Sequence, residues 1–315
     1  MKLFISSQIP QEILDRLDGF DISYHNSNVP LSKEALIEGI KEADALLCPL
    51  SDKIDAEVLD AGKHLKIVAN YGAGFDNIDI DRARDLGIVV TNAPAPSSAV
   101  STAELAFGLI LATARRFSAG ERNLREGKFQ GWRPSYFLGQ ELKGKTLGII
   151  GMGNIGKNLA KRALAFEMKL IYWSRNRKED IEAAGASYVA LEDLLKQADI
   201  ISLHTAYVPE LHHLMDQEAF KAMKTSALFI NAARGPLVDE KALADALKAG
   251  EIAGAGLDVY EFEPQVREDL LGLDQVTLLP HLGNATHEAR LEMGHAAADN
   301  LLALKNGQKP KNQVN

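Results

Sequence analysis

Cysteine is almost absent from this sequence. One residue, Cys48, occurs among 315, which excludes an intrachain disulfide framework. No cysteine–histidine spacing typical of a zinc site occurs either. Cys48 ends an apolar run just before Pro49, so we interpret it as a small core residue rather than a nucleophile. The sequence therefore predicts no bound metal.

An excess of positive charge is also lacking. Lys and Arg total 35 against 43 Asp and Glu, a formal net charge of -8. Because nucleic-acid binding depends on clustered Lys and Arg, we expect no nucleic-acid partner. No uninterrupted apolar run is long enough to cross a bilayer, and residues 1–6 begin as a strand without a signal-peptide core. We therefore expect a cytoplasmic protein with no membrane partner.

What the chain does contain is a regular alternation of short apolar runs with amphipathic helical segments. Such alternation predicts an α/β fold in which parallel sheets are covered by helices on both faces. With 46% hydrophobic residues over 315 positions, the composition suits two globular domains. Strands are predicted at 3–5, 45–48, 65–69, 88–91, 146–150, 169–173, 187–189, 200–203, 227–231, 252–258 and 276–279. Helices are predicted at 10–17, 31–43, 56–61, 100–115, 216–222, 239–249 and 286–304.

Two prolines, Pro94 and Pro96, interrupt the alternation at residues 92–98, which we interpret as a linker. The last predicted helix is expected to return the chain to the first domain, so that a cleft lies between two α/β domains. The tail at 309–315 is expected to be frayed.

Residues 116–142 are amphipathic and then irregular, and they contain Trp132, Tyr136 and Phe137. An aromatic cluster of this kind is typical of an oligomer surface. It equally suits a cover over the protein's own core, and the sequence leaves both interpretations open.

A glycine turn separates the predicted strand at 146–150 from a helix. Its residues fit GxGxxG and are Gly151, Met152, Gly153, Asn154, Ile155 and Gly156. In this pattern the first glycine permits the tight turn, the second lets backbone approach a pyrophosphate, and the third lets the helix pack on the strand. The pyrophosphate then lies on N–H groups at the helix N-terminus. The strand–turn–helix context predicts dinucleotide binding.

The residues after the next predicted strand indicate which dinucleotide binds. NAD-type folds place an Asp or Glu there to bind the ribose, whereas this chain has Ser174, Arg175 and Asn176. A guanidinium pairs well with a 2′-phosphate, and no carboxylate occurs before Glu179 to repel one. We expect NADP(H) to be favoured and keep NAD(H) as the alternative. An ordinary solvated basic loop would give the same sequence.

Ionisable side chains follow three later strands. Arg234 follows one strand, the acidic loop at 258–264 with Asp258, Glu261 and Glu263 follows the next, and His281 follows the last. The carboxyl edge of an α/β sheet is where ligands bind. Together these residues supply what carbonyl reduction needs, namely an anchor for a substrate carboxylate, a proton donor and a carboxylate that holds the donor. Singly, each residue type is common in loops.

Other loop residues leave two interpretations open. His204 ends another predicted strand, where it either touches the cofactor or makes a structural hydrogen bond. Thr102, near the start of the helix predicted at 100–115, is placed to approach the nicotinamide. The loop at 70–77 contains Gly72 and Gly74 but does not fit GxGxxG. It either offers backbone N–H groups to an anion or is an ordinary glycine turn.

Taken in order, these motifs resemble the D-isomer-specific 2-hydroxyacid dehydrogenase family. The matching segments are 72–79, 151–156, Asn231-Ala232-Ala233-Arg234-Gly235, Leu257-Asp258-Val259 with Glu263-Pro264, and His281-Leu282-Gly283. They follow the family's order and span nearly the whole chain. Within the family, residues 50–52, 132–134 and 174–175 are similar to the glyoxylate/hydroxypyruvate reductase branch.

The resemblance implies two doubly wound domains. A Rossmann cofactor domain at 99–287 is inserted into a flavodoxin-like substrate domain at 1–98 plus 288–315, and a homodimer forms through an extension at about 116–142. The implied reaction is reduction of glyoxylate or hydroxypyruvate by hydride transfer from NADPH. The alternatives are an NAD-dependent D-lactate-type or phosphoglycerate-type dehydrogenase, or a dinucleotide-sensing corepressor-like binding protein.

The resemblance also implies residue roles. In the catalytic trio, Arg234 binds the substrate carboxylate, His281 donates a proton to the carbonyl oxygen and Glu263 orients the imidazole. The implied substrate-binding residues are Ser51, Ala73, Gly74 and Arg234. The expected cofactor-binding residues are Thr102, the six residues of 151–156, Ser174, Arg175, Asn176, His204, Ala232, Asp258 and Gly283. Asp258 is expected to bond the nicotinamide carboxamide.

Overall fold

Two separate parallel sheets organise the chain. A computed structural model describes all 315 residues and divides them into two units. The first unit comprises Met1–Ser98 and Asn284–Asn315, and the second comprises Ala99–Gly283. Every strand pair in both sheets is parallel, which confirms the predicted α/β class with two doubly wound sheets.

The first unit contains a five-stranded sheet. Its strands are β1 (Lys2–Ile5), β2 (Asp21–Tyr24), β3 (Ala45–Cys48), β4 (Ile67–Asn70) and β5 (Val89–Thr91). Its helices are α1 (Gln11–Arg16), α2 (Lys33–Ile40), α3 (Ala56–Ala61), α4 (Ile80–Asp85) and, from the end of the chain, α13 (His287–Lys305). The strand order β2-β1-β3-β4-β5 is the flavodoxin-like order. All residues of β3 and β4 are buried, as expected for strands covered on both faces.

The second unit contains a seven-stranded sheet. Its strands are β6 (Thr146–Ile150), β7 (Lys169–Trp173), β8 (Ala186–Tyr188), β9 (Ile200–Leu203), β10 (Leu228–Asn231), β11 (Gly254–Leu257) and β12 (Val276–Leu278). Its helices are α6 (Phe117–Arg125), α7 (Asn154–Ala165), α8 (Glu179–Ala183), α9 (Leu191–Gln197), α10 (Gln217–Ala222), α11 (Glu240–Ala249) and α12 (Glu268–Leu271). The strand order is β12-β11-β10-β9-β6-β7-β8. The order reverses between β6 and β9, and such a switch point is where doubly wound sheets bind ligands.

Helix α5 (Pro96–Ala114) begins four residues earlier than predicted. Pro96 therefore belongs to the helix and not to the predicted linker at 92–98. Proline is well tolerated in the first turn of a helix, where its missing N–H has no helical partner. Thr102 therefore lies inside the helix, not near its start. The helix is long and apolar enough to cross a membrane by length and composition, yet more than half of that window is buried. Ala103, Ala106 and Ile110 pack in a core of the second unit.

Two polar elements of the first unit were missed. Strand β2 is at the sheet edge and none of its residues is buried, so it lacks the apolar run by which the other strands were predicted. Helix α4 buries only Ala83, although the Asp79 side chain caps it by accepting a hydrogen bond from Arg82 N. Elements with little buried apolar surface leave a weak sequence pattern.

The C-terminal tail is ordered, and the expectation that it frays is wrong. Asn92 N donates to Asn312 O, and Val314 N donates to Val90 O. The Asn315 side chain accepts from Val90 N at 2.9 Å. Because β5 is an edge strand, its outer N–H and C=O groups lack a partner strand, and the tail supplies one.

The boundary after the second unit falls at Gly283, four residues before the predicted position of 287. Asn284 Nδ2 contacts Met293 Sδ at 3.6 Å, and Thr286 caps α13 by accepting from Ala289 N at 3.2 Å. These residues therefore belong with the start of α13, whose buried residues pack in a core of the first unit.

Candidate active site

The glycine turn after β6 is shaped by close backbone packing. Gly151 has φ +100°, and a Cβ there would lie 2.5 Å from the carbonyl carbon of His204. A Cβ on Gly156 would overlap Gly151 O. At Gly153, by contrast, nothing lies within 4 Å of a built Cβ. The first and third glycines are thus needed by the fold, while the second faces open space that a ligand can approach.

Helix α7 begins directly at this open space. Its N-cap is Gly153, which has no side chain with which to satisfy the first N–H groups of the helix. Those groups, together with the helix dipole, favour an anion. The turn and the uncapped helix therefore fit the pyrophosphate of a dinucleotide.

His204 follows β9, the strand next to β6 at the switch point. It is 8% exposed, and its Nε2 lies 2.8 Å from the Ser202 hydroxyl. The other ring nitrogen, Nδ1, is buried without a hydrogen-bond partner. Burial lowers the pKa of His204 to about 3, so the ring is neutral at pH 7. The structural hydrogen bond is present, and the orphaned Nδ1 fits a polar group of a bound cofactor, a contact that stays a prediction.

The loop after β7 contains two arginines that differ in their hydrogen-bond partners. Arg177 is paired with Glu182 through contacts of 3.1 and 2.5 Å. Arg175 is exposed and has no hydrogen-bond or ion-pair partner in the protein. The Ser174 hydroxyl donates to Asn176 O at 2.7 Å and so closes the loop on itself. Arg175 is therefore the guanidinium of this loop that remains available to an anion.

Three predicted cofactor-binding residues meet beside β11. Asp258 is 1% exposed, and its two carboxylate oxygens accept from Leu282 N at 2.7 Å and Gly283 N at 2.8 Å. A Cβ on Gly283 would lie 3.2 Å from Asp258 Oδ2 and 3.3 Å from Thr102 Oγ1. Burial raises the pKa of Asp258. In this structure Asp258 holds the loop that carries His281, and its predicted contact with the carboxamide stays a prediction.

His281 is paired with Glu263. Its Nδ1 lies 2.9 Å from Glu263 Oε2, and both side chains are 36% exposed. The other oxygen of Glu263 accepts from Tyr260 N at 3.0 Å. Burial alone would raise the pKa of Glu263, but the hydrogen bond and charge of His281, the Tyr260 N–H and the charge of Arg234 together lower it. The carboxylate is thus ionised, and His281 Nε2 is left without a protein partner.

The backbone of His281 is in the left-handed region, with φ +53°. A non-glycine residue in this conformation is uncommon and costs free energy unless its surroundings hold it. Here His281 N donates to Asp258 O at 2.8 Å, next to the two N–H groups bound by the Asp258 carboxylate. Asp258 and Glu263 therefore hold the backbone and the side chain of His281, respectively.

Arg234 follows β10 and is placed by the side chain of Asn231, which is 1% exposed. Asn231 Nδ2 donates to Arg234 O at 3.1 Å, and its Oδ1 accepts from Ala233 N at 3.0 Å. A Cβ on Gly235 would overlap Tyr260 O, so only glycine allows the Arg234 turn to lie against the Glu263 loop. Ala232 is 6% exposed within the same turn. The structure thus brings Arg234, Glu263 and His281 to one edge of the sheet.

A histidine pair near this loop was not recognised from sequence, where His212 and His213 matched no motif. His213 Nε2 lies 2.6 Å from Glu261 Oε1, and the two imidazoles stack with centroids 3.9 Å apart and planes at 22°. The ligand-type atoms of the two histidines and Glu261 lie within 4.8 Å of one another. The nitrogen lone pairs lie in two nearly parallel ring planes, which do not meet at a common point between the rings. We therefore interpret the cluster as a hydrogen-bonded support for the Glu261 loop.

The predicted substrate-binding residues of the first unit lie on exposed or half-exposed loops. Ser51 and Ala73 are exposed, and Gly74 is half-buried. The N–H groups of Ala73, Gly74 and Phe75 donate no hydrogen bond within the protein. Three successive free N–H groups in a loop suit an anion, which favours the anion-binding interpretation over that of an ordinary turn.

The aromatic side chains of the segment at 116–142 lie outside the buried cores, although Leu142 at its end packs in one of them. Trp132 is 83% exposed and Phe129 51%, although Tyr136 and Phe137 pack with ring centroids 4.8 Å apart. Arg133 lies over the Tyr136 ring at 5.1 Å. The segment presents a groove lined by Phe117, Leu124, Phe129, Tyr136 and Phe137. A cluster of exposed apolar residues of this size is typical of an interaction surface.

Known proteins resemble this chain over its whole length. Residues 107–283 match the family described as D-isomer specific 2-hydroxyacid dehydrogenase, NAD binding domain. A Staphylococcus aureus (strain MRSA252) protein named "Putative 2-hydroxyacid dehydrogenase" is 49% identical over 316 residues, which cover 100% of this chain and 99% of that protein.

Similar solved structures include complexes with a dinucleotide and a small acid. A D-lactate dehydrogenase from Aquifex aeolicus, complexed with NAD and lactic acid, has a TM-score of 0.87 at 31% identity and covers 100% of this chain and 99% of its own. An NADPH-dependent glyoxylate/hydroxypyruvate reductase from Sinorhizobium meliloti, in complex with NADP and malonate, has a TM-score of 0.85 at 31% identity and covers 99% and 96%.

The family match covers more than half of the chain, and the Staphylococcus aureus relative is 49% identical. Both agree with the order of the motifs and with the site at the edge of the second sheet. They also support a nicotinamide dinucleotide cofactor and a small 2-hydroxy or 2-oxo acid substrate. This chain belongs to the D-isomer-specific 2-hydroxyacid dehydrogenase family and is an NAD(P)-dependent D-2-hydroxyacid dehydrogenase.

Proposed function

We propose that this enzyme reduces a small 2-oxo acid, glyoxylate or hydroxypyruvate, to the 2-hydroxy acid with NADPH. The observation that carries the proposal is the His281 imidazole, whose Nδ1 bonds Glu263 at 2.9 Å while Nε2 has no partner in the protein. An imidazole held at one nitrogen and open at the other can pass a proton to a carbonyl oxygen. That is the acid chemistry a 2-oxo acid reductase requires.

Each residue of the trio has a separate task. Nε2 of His281 donates the proton to the substrate carbonyl oxygen, and the ionised Glu263 fixes the ring and compensates its positive charge. The Arg234 guanidinium binds the substrate carboxylate, for which its planar donors are suited. The free N–H groups of Ala73 and Gly74 also contribute to binding that carboxylate. When bound, the reduced nicotinamide supplies the hydride.

We assign the preference for NADPH to Arg175. Its guanidinium has no partner in the protein, whereas the neighbouring Arg177 is paired with Glu182. The loop places no carboxylate where an adenosine ribose is held in NAD-type folds. The NADPH-dependent relative from Sinorhizobium meliloti supports this cofactor, while the Aquifex aeolicus relative with NAD and lactic acid supports the D-lactate-type alternative.

Steady-state rates test the proposal. Initial rates are measured with glyoxylate, hydroxypyruvate and pyruvate, each with NADPH and with NADH. We expect the highest kcat/KM with NADPH and either glyoxylate or hydroxypyruvate. A preference for pyruvate with NADH would favour the D-lactate-type alternative, and no turnover with any of the six pairs would contradict both.

We further propose that the protein is a cytoplasmic homodimer. The exposed apolar groove at Phe117, Leu124, Phe129, Tyr136 and Phe137 is the surface that we assign to the dimer interface. Burying such apolar area is the main source of stability in permanent dimers.

A further inference from the structure

Three successive carbonyl oxygens in the loop after β4 each accept a hydrogen bond. The hydrogen bonds run from Ala93 N to Gly72 O at 2.8 Å, from Asn92 Nδ2 to Ala73 O at 2.8 Å and from Asn70 Nδ2 to Gly74 O at 2.7 Å. Each bond fixes the direction of one peptide plane. The loop is thus rigid at the point where its backbone can bind an anion.

The fixed carbonyl oxygens also set the direction of the N–H groups in the same peptide groups. All peptide bonds of this loop are trans, so each N–H points opposite to the carbonyl oxygen of the same peptide group. With Gly72 O and Ala73 O held on one side, the N–H groups of Ala73 and Gly74 point to the other. Neither of them donates to the protein. The Asn92 side chain therefore sets the direction of the Gly74 N–H.

Asn92 is itself held by the C-terminal part of the chain. Its N–H donates to Asn312 O at 3.1 Å, and its carbonyl oxygen accepts from Asn300 Nδ2 at 3.1 Å. Asn300 Oδ1 in turn accepts from Asn312 N at 3.3 Å. Both backbone groups of Asn92 are thus satisfied, which leaves its carboxamide fixed against Ala73.

The last residues anchor this arrangement to the sheet edge. Thr91 and Gln313 form an antiparallel bridge, and Val314 N donates to Val90 O at 2.9 Å. The side chain of Asn315 accepts from Val90 N and donates to Ile88 O at 2.7 Å. The tail therefore acts as an added edge segment beside β5, the strand that ends at Asn92.

We propose that Asn92 is a positioning residue for the substrate carboxylate, and that the C-terminal segment 312–315 keeps it in place. The proposal rests on the proposed function, in which the Gly72–Gly74 loop binds the carboxylate of the 2-oxo acid. Asn92 does not touch the substrate. It acts through the Ala73 carbonyl, by aiming the Gly74 N–H at the bound anion.

Replacement of the carboxamide tests this role. Asn92→Asp keeps the side-chain shape but replaces the N–H donor with an oxygen that repels Ala73 O, and Asn92→Ala removes the tether without adding charge. For both variants we expect KM for glyoxylate and the inhibition constant of oxalate to rise at least about ten-fold, the scale of one hydrogen bond to a charged group. The dissociation constant of NADPH should stay within about two-fold. Asn28→Asp, an exposed asparagine of the same unit, is the matched control and should leave all three constants unchanged.

Deletion of residues 312–315 tests the second part of the proposal. The shortened chain should show the same rise in KM for glyoxylate with an unchanged NADPH dissociation constant. The Asn92 variants or the shortened chain could instead show a lowered Tm with unchanged KM for glyoxylate and unchanged inhibition by oxalate. That result would mean a purely structural role and would overturn the proposal. If the unaltered enzyme turned over no 2-oxo acid, the proposed function would fail. Turnover by that enzyme with unchanged constants in Asn92→Asp would refute this inference alone.

Discussion

Nδ1 of His281 lies 2.9 Å from Oε2 of Glu263, and the opposite ring nitrogen has no partner in the protein. The carboxylate is ionised, since His281, Tyr260 and Arg234 together lower its pKa despite burial. A ring oriented in this way can serve as a general acid for a substrate in the site.

His281→Ala should lower kcat for glyoxylate by about 10²–10⁴-fold, the usual contribution of a general acid. Glu263→Gln should also lower kcat, because a neutral amide no longer compensates charge on the ring. Dissociation constants for NADPH, measured by fluorescence, should change little in either variant. His287→Ala, which replaces an exposed histidine, is the control. Near-normal turnover in His281→Ala would refute the assignment.

Arg175→Asp should reverse the cofactor preference. It replaces an unpaired cation with a carboxylate that repels a 2′-phosphate and accepts hydrogen bonds from ribose hydroxyls. We expect kcat/KM for NADPH to fall at least about ten-fold, the scale of a charged hydrogen bond, while that for NADH holds or rises. Arg177→Asp, at the neighbouring arginine paired with Glu182, is the comparison and should affect the two cofactors similarly. Equal losses for both cofactors in Arg175→Asp would argue against NADP selection by this loop.

His204 should make the second unit sensitive to acid. Its folded-state pKa of about 3 lies below the ordinary value of 6.5, so between these values the unfolded chain binds a proton that the folded chain excludes. The free energy of unfolding should therefore fall, as pH drops from 6.5, by about 1.4 kcal/mol per pH unit from this group. The stability that it contributes is fully present only above pH 6.5.

Urea unfolding at pH 7, 6 and 5 measures this effect. Both tryptophans, Trp132 and Trp173, lie in the second unit, so their fluorescence reports on the unit that contains His204. His204→Gln should reduce the slope of the unfolding free energy against pH by the contribution of one bound proton. His64→Gln, at an exposed position in the first unit, should leave that slope unchanged. An unchanged slope in His204→Gln would contradict the assigned cause.

Phe129→Glu should weaken a dimer formed through the aromatic segment. Phe129 is 51% exposed in the single chain, and burial of a carboxylate in an apolar interface carries a large desolvation penalty. We expect the dimer dissociation constant to rise at least about 100-fold in sedimentation experiments, as for a central interface residue. Val29→Glu, in the first unit and 71% exposed, is the control. A monomeric unaltered protein would contradict the proposed dimer.

The sheet strands and the glycine turn were predictable because their causes are local. Strands β3, β6, β7 and β9 have the predicted bounds, since each contains a short run of residues buried on both faces. The cap of α2 also has a local cause, since the Ser32 side chain accepts from Ala35 N three residues along the chain. Strand β2 escaped prediction because an exposed edge strand needs no apolar run.

The partners of the loop side chains were not predictable. The sequence does not distinguish Arg175 from Arg177. Only the structure shows that Glu182 forms its ion pair with Arg177 and not with Arg175. The sequence also does not show that the Asp258 carboxylate accepts hydrogen bonds from two N–H groups of the loop that carries His281. The contact of Asp258 with the cofactor stays a prediction. The hydrogen-bond partner of a side chain depends on which groups lie near it in three dimensions. Sequence patterns contain little information about those distances.

By itself the sequence determined the alternation of buried strands with helices, the glycine turn of a dinucleotide fold and the order of Arg234, Glu263 and His281 at strand ends. Backbone sterics and burial of apolar residues act within a few positions of the chain, so these features can be read locally. Only the tertiary structure decided that the C-terminal tail pairs with β5 and that Asn92 holds the Ala73 carbonyl. Those contacts join segments far apart in the chain, and no local preference specifies them.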